Sequence, residues 1–350
     1  MLIWICFYCY ILSLAWLYSY AGFNGHIKGI LFLIILVSLI YFSGFRDGLG
    51  QDYDAYVEVI QSGVRNYQGI EPGYTYLSKL VMDNNFTPVL FFLIFSILTL
   101  VPLLLVYRQS NNLYLTIIMF ISVPIMFFNS FNIVRQYAAA AIMLYAVITP
   151  FLQNKIKWLT CTMVAASFHI SVLFVMPIFF LIHLKLTKKA VVILLLGFYI
   201  VSHIIQNGLI DVNGLVPEIY SHYDLTQEES SGSGFLSLLM IIFMIYVNQS
   251  RINSDEIDLQ NRLFNMSVIC CCIYLMIPAI FFFYRLSIYF VVALPIVAAM
   301  PLKKSSDRSI YAFVMSCSLV MLFLYFLISA SGNEKILPTD VKAIGAVFRG

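Results

Sequence analysis

The chain has 350 residues, 61% of them hydrophobic and 11% charged, against roughly 45–50% and about 25% in a soluble domain. An ordinary soluble globular protein is excluded. The formal net charge of +3 says little by itself, because the asymmetry lies along the chain; no nucleic-acid partner is expected. Runs of 19 or more residues lack Asp, Glu, Lys and Arg, among them Asn84–Tyr107, Gln109–Val134 and Ser309–Asn333. Each can cross a hydrocarbon core that takes about 20 residues in helical form. In lipid the backbone must satisfy its own hydrogen bonds, so helices follow, and the short alternating segments of a β-barrel are not visible. The expected fold is all-α, a polytopic transmembrane helical bundle of about 11–12 membrane segments, one of them a broken or re-entrant helical hairpin. It forms a single integral membrane domain, with the lipid bilayer as its first partner.

In chain order, Leu2–Ala21 and Ile27–Phe45 read as the first two spans. The N-terminus lacks the basic region of a signal peptide, so the first is expected to be retained. Residues 46–85 then form a charged loop in which Arg46, Asp47, Asp52, Asp54, Glu58, Arg65, Glu71, Lys79 and Asp83 crowd between two apolar runs. Further spans follow at Thr87–Tyr107, Leu113–Phe128 and Phe131–Phe151. Trp158–Leu184 is 27 residues long with Ser167, His169 and Ser171 in its middle, which does not suit a plain span. Ala190–Gln206 precedes a second polar loop, 207–234, and Phe235–Val247, Leu263–Phe283, Leu286–Met300 and Ser309–Ile328 complete the helices. The seven cysteines all lie in apolar runs and read as buried small hydrophobes rather than disulfides or metal ligands.

Folding Trp158–Leu184 back on itself, with the N-terminus outside, puts 12 of the 20 bases in inside loops. A single span there would reverse the bias, so the hairpin satisfies the positive-inside rule better. Both charged loops, 46–85 and 207–234, then face outward.

Several groups could do chemistry. Arg135 stands alone between long uncharged stretches, where a central arginine costs about 2.5–3.5 kcal/mol on insertion scales. It either faces a cavity and clamps an anion with its planar fork or snorkels from a helix end. His169 is a packing residue or a group that exchanges a proton with a hydroxyl. Arg285, after the aromatic run Phe281–Tyr284, is an interface anchor or a second isolated cation. In the charged loop, Arg46 follows directly on a helix, and Gly48 and Gly50 permit a tight turn. Asp52, Tyr53, Asp54 and Tyr56 suit a sugar-facing surface or a solvated loop. Glu71, in E-P-G-Y, is a candidate general base or a turn residue.

The order R-D-G-x-G-x-D-x-x-x-Y (Arg46 to Tyr56), E-P-G-Y (Glu71 to Tyr74), V-R-Q-Y-A (Val134 to Ala138), F-H-I-S (Phe168 to Ser171) and Y-R-L-S-I-Y-F (Tyr284 to Phe290) resembles the EpsG-like family of bacterial polysaccharide proteins, which includes Wzy-type O-antigen polymerases. The resemblance spans most of the chain, and the order of the motifs carries it. It implies a bacterial inner-membrane glycosyltransferase that joins oligosaccharide repeat units carried on undecaprenyl diphosphate, as both donor and acceptor, at the periplasmic face, with a chain-length regulator as an open question. The leaving group already carries phosphate charge, so cations should stabilise it and a base should take the acceptor's proton. Arg46, Arg135 and Arg285 are assigned to the diphosphates, and Asp52, Glu71 and His169 to the base or to sugar contacts. No metal or other cofactor is expected. The C-terminal stretch from Glu334 matches no motif. The alternatives are a flippase or transporter of the lipid-linked sugar, an O-antigen ligase, or a membrane acyltransferase using His169.

Overall fold

The structure is a computed structural model describing residues 2–19, 22–46, 48–62, 71–210, 238, 241–242, 245–246, 248, 258–300 and 305–329, with 62, 305–310 and 329 by backbone alone. The expected Phe235–Val247 span, the 207–234 loop beyond residue 210, Asp47, Arg65 and the C-terminal tail from Glu334 lie wholly or largely outside the described residues. Among the described residues the helices run in the order α1 (Leu2–Ser19), α2 (Gly25–Gly44), α3 (Tyr53–Ser62), α4 (Pro72–Asp83), α5 (Pro88–Tyr107), α6 (Leu113–Ser122), α7 (Val134–Val147), α8 (Lys155–Phe168), α9 (Val172–Leu181), α10 (Lys188–Gln206), α11 (Leu259–Met276), α12 (Phe282–Val291), α13 (Leu294–Ala298) and α14 (Ser305–Ser329). Six of the described helices are long and apolar enough to cross a membrane, and four shorter ones are apolar. The protein is a polytopic helical membrane protein.

The helix starts follow from local chemistry. Asn24, Asn112, Asn154, Thr187 and Asp258 each accept a hydrogen bond from the backbone N–H three residues on, satisfying one of the donors a helix leaves open at its N-terminus. Pro72 and Pro88 begin α4 and α5, where the missing N–H costs nothing.

Several expected boundaries move. The span expected at Leu113–Phe128 stops at Ser122, because Pro124 forces the preceding Val123 into an extended conformation, φ −89° and ψ 114°. The next helix starts at Val134 rather than Phe131, after a 3-10 turn at Asn129–Phe131. The expected Leu263–Phe283 becomes α11 ending at Met276, two residues before Pro278, and Leu286–Met300 becomes α12 and α13. Arg285 therefore lies within the first turn of α12 instead of preceding a helix. The charged 46–85 segment contains two amphipathic helices, α3 and α4. Trp158–Leu184 breaks at His169–Ser171, between α8 and α9, as its polar middle suggests. Cys270, Cys271 and Cys272 are buried as expected, but Cys6, Cys9 and Cys317 are exposed on the apolar helices α1 and α14, and Cys161 is half-buried.

The chain packs as two compact units, residues 1–174 with 298–350, and residues 175–297. In the first, α7 packs on α5 and α8, and α5 on α2. Ala138 to Ala141 are fully buried, and small side chains let neighbouring backbones approach. Gly44 sits against Leu93 of α5, where an added Cβ would lie 2.9 Å from its Cα, and Ser43 and Ser96 share a 2.8 Å hydrogen bond nearby. At 14 residues α7 is about 21 Å long, short of the ~30 Å core. The irregular stretch leading into it is largely buried in protein, which is where non-helical backbone at membrane depth is tolerated. In the second unit, α11 packs on α10 and α12, and Asn265 of α11 donates to the carbonyls of Ile182 and Leu184 at 2.8 and 2.9 Å.

Candidate active site

Glu71 stands just before Pro72, the first residue of α4. Its side chain does not cap its own helix; it reaches across to two others. Oε2 accepts from Nη1 of Arg135 at 2.8 Å. Oε1 pairs with Nδ1 of His169 at 3.0 Å and accepts from the backbone N–H of Ile170 at 3.2 Å. An ionised carboxylate only accepts, so Nδ1 carries the hydrogen, and in the neutral ring Nε2 is the acceptor nitrogen.

Three separate pieces of sequence meet here. Arg135 is the second residue of α7, and His169 and Ile170 lie at the break between α8 and α9, where the chain leaves helical geometry and exposes an N–H to the carboxylate. Gly73 makes the approach possible. A Cβ there would fall 2.6 Å from Ser167 Oγ and 2.9 Å from the Ser167 carbonyl oxygen, so only glycine lets the first turn of α4 touch the last turn of α8. Each residue of E-P-G-Y thus contributes something different. Glu71 supplies the carboxylate, Pro72 the helix start and Gly73 the close approach, while the ring of Tyr74 lies 4.7 Å under the Arg135 guanidinium. The Tyr56 hydroxyl accepts a further hydrogen bond from Arg135.

The electrostatics agree with the geometry. Burial alone would raise the Glu71 carboxyl, but the His169 hydrogen bond and the Arg135 charge outweigh it and hold the pKa at about 2. Glu71 is therefore ionised throughout the neutral range and has little basicity of its own. Glu71 and His169 are 8% and 10% exposed by side chain, whereas Arg135 is 30% exposed, so the arginine is the part of the trio that meets the outside.

The other expected site residues fall differently. Arg46 is 2% exposed. Its guanidinium lies 4.6 Å from the Phe92 ring centroid and 4.8 Å from that of Phe131, and Nη2 donates to the Phe131 carbonyl at 2.8 Å. The following turn completes a clasp, in which the Gln51 N–H donates to Asn132 Oδ1 at 2.8 Å. Gly50, with φ +111°, leaves room for only 3.0 Å between an added Cβ and the Phe131 oxygen. The clasp grips the turn that leads into Arg135. Asp52 is exposed at the start of α3, close enough for its charge to act on Tyr56 together with those of Arg135 and Arg46. Arg285 belongs to the second unit. Asn132, Gly73 and the Ile170 N–H carry no charge and were not singled out by the sequence; a glycine after Glu-Pro and an asparagine before a helix were the available signals.

The EpsG family profile matches residues 29–339, nearly the whole chain. The chain belongs to the EpsG family. Comparison with curated proteins and with solved structures finds no match. Membership in the EpsG family supports a membrane glycosyl-transfer or polymerase-like role in polysaccharide synthesis, and the Glu71 cluster is built from three of the five motifs that suggested the family.

Proposed function

We propose that this protein polymerises undecaprenyl-diphosphate-linked oligosaccharide repeat units into O-antigen or a related surface polysaccharide, by glycosyl transfer at the periplasmic face of the bacterial inner membrane. The observation that carries the reading is the carboxylate of Glu71 shared between Arg135 and His169.

In the reaction an acceptor sugar hydroxyl attacks the anomeric carbon of the donor. The new C–O bond forms as the bond to the lipid diphosphate breaks, and the bonding pair leaves with the diphosphate. His169 takes the hydroxyl proton at Nε2 while Glu71 holds Nδ1–H in place. Arg135, with N–H donors beyond those given to Glu71 and Tyr56, contacts the leaving diphosphate. The charges change together. With His169 neutral the trio is close to neutral overall; once the proton arrives it carries one positive charge, as the diphosphate gains its negative one. Stabilisation that grows along the reaction acts on the barrier rather than on ground-state binding. Asp52 is the sugar-facing carboxylate of this reading, and Arg46 acts through the turn it clasps. Arg285 enters by its motif alone.

The test is a purified-protein assay in lipid with a diphosphate-linked oligosaccharide as the only sugar substrate. Chains longer than one repeat are expected from the wild type and not from His169→Gln. Wild-type protein that moves the intact lipid-linked sugar between leaflets without lengthening it would overturn the reading in favour of a flippase.

A further inference from the structure

α4 is amphipathic in a way the site does not explain. Tyr74, Ser78 and Val81 are buried, with Tyr74 against Phe91 and Phe95, and α4 packs on α5 and α8. The opposite stripe, Pro72, Tyr76, Lys79, Leu80 and Asp83, is exposed, with Tyr76 at 67%, Leu80 at 37% and Phe86, just past the helix, at 50%. At 12 residues the helix is about 18 Å long, too short to cross a ~30 Å core.

The connection to α5 fixes where this stripe goes. Asn85 has φ 54°, the Phe86 N–H bonds to the Val81 carbonyl at 2.9 Å, and the Asn85 N–H bonds to the Met82 carbonyl at 3.0 Å. This is a Schellman ending, a rigid stop. Thr87 then begins the next helix, with Pro88 as its first residue. α5, 20 residues long, just matches the hydrocarbon thickness, so Pro88 marks one boundary of that core. Four residues of chain reach at most ~14 Å, and these are folded tightly.

We infer that α4 lies in the plane of the membrane interface, with Tyr76, Leu80 and Phe86 seated at the boundary of headgroups and acyl chains of one leaflet. An aromatic ring, an aliphatic chain and a flanking lysine on one stripe are what that zone accommodates. The partner is the bilayer itself. Glu71 immediately precedes α4, and Tyr74 and Phe168 beside the cluster meet Phe95 about two turns into α5, so the Arg135–Glu71–His169 cluster is set close beneath that boundary. For a donor with its diphosphate at that level and its hydrocarbon in the core, the site then needs no extraction of the lipid. That consequence rests on the proposed function; the placement of α4 does not.

Nitroxide labels at Tyr76→Cys, Leu80→Cys and, as a reference on α3, Gln61→Cys report depth in lipid nanodiscs, with the unsubstituted protein's labelling subtracted for the native cysteines. Collision with oxygen should rise, and collision with a water-soluble nickel chelate should fall, at positions 76 and 80 relative to 61. A Tyr76→Trp variant should gain emission that lipids brominated near the headgroup quench. Nickel accessibility at 76 and 80 equal to that at 61, or no quenching of the added emission, would overturn the placement, and either result leaves the reading of the reaction untouched.

Discussion

Arg135 and Arg46 both adjoin apolar helices in the sequence and carry the same expected role at a diphosphate, yet the structure gives them opposite surroundings. Arg135 has a carboxylate at 2.8 Å and 30% of its side chain exposed. Arg46 has two phenyl rings, a carbonyl and 2% exposure; burial pushes its pKa down to about 9, which leaves it charged at neutral pH. A guanidinium that keeps an exposed edge can still meet an anion, whereas one closed between rings can only hold what already touches it. The difference separates a group available to substrate from a group that fixes the backbone.

The largest effect should come from the acid that defines the first environment. Glu71→Gln keeps the shape, but its amide NH2 can face His169 Nδ1 and select the tautomer with hydrogen on Nε2, where the base is needed. Polymerisation should fall by roughly 100-fold or more, measured as product per unit of membrane-inserted protein; retention of a tenth of the activity would remove Glu71 from that role. The same variant tests the ion pair. Because the folded-state pKa of Glu71 is depressed from 4.5 to about 2, its contribution to stability is complete above pH 4.5 and is lost as pH falls through about 2. Detergent-solubilised wild type should melt above Glu71→Gln at neutral pH, with the gap closing between pH 4.5 and 2. A gap independent of pH would contradict the pairing.

Gly73→Ala comes next. The new methyl meets the Ser167 carbonyl at 2.9 Å, backbone that cannot rotate away, so α4 must retreat from α8 and carry Glu71 with it. Overpacking of this kind costs about 1–3 kcal/mol, and activity should drop about tenfold as the carboxylate loses one partner. Adding Ser167→Ala removes the hydroxyl conflict but not the carbonyl, so full recovery in the double variant would show that close approach of the helices is not what the glycine provides.

The contrast between the two arginines also marks how far the sequence could be read. Spans were legible because lipid imposes one rule on every residue, whereas the capping roles of Asn112 and Thr187 came only with the structure. Pro124 and Pro278 moved helix ends that hydropathy alone had run through, since both flanks are equally apolar. The break at His169 was visible as a polar interruption in an overlong run. What joins Glu71 to His169 was not, because it depends on the absence of a side chain at Gly73 and on which N–H a broken helix leaves open at Ile170. Arg46 and Arg135 could not be told apart for a similar reason: exposure is set by Phe92 and Phe131, distant in sequence from the residue they enclose.

The smallest expected effect gives the sharpest test of that distinction. If Arg46 acts only by holding the Phe131–Asn132 turn, the harm done by Arg46→Lys runs through misplacement of Arg135, and Arg135→Lys should leave little for it to damage. The double variant should then resemble Arg135→Lys, with a coupling of roughly 0.5–3 kcal/mol in the cycle, and Asn132→Ala should couple to Arg135→Lys in the same sense because it loosens the same turn. Two independent contacts to a diphosphate would instead multiply, each lysine losing its own bidentate geometry. Additive losses at equal protein level would return Arg46 to the substrate and erase the difference between the two arginines.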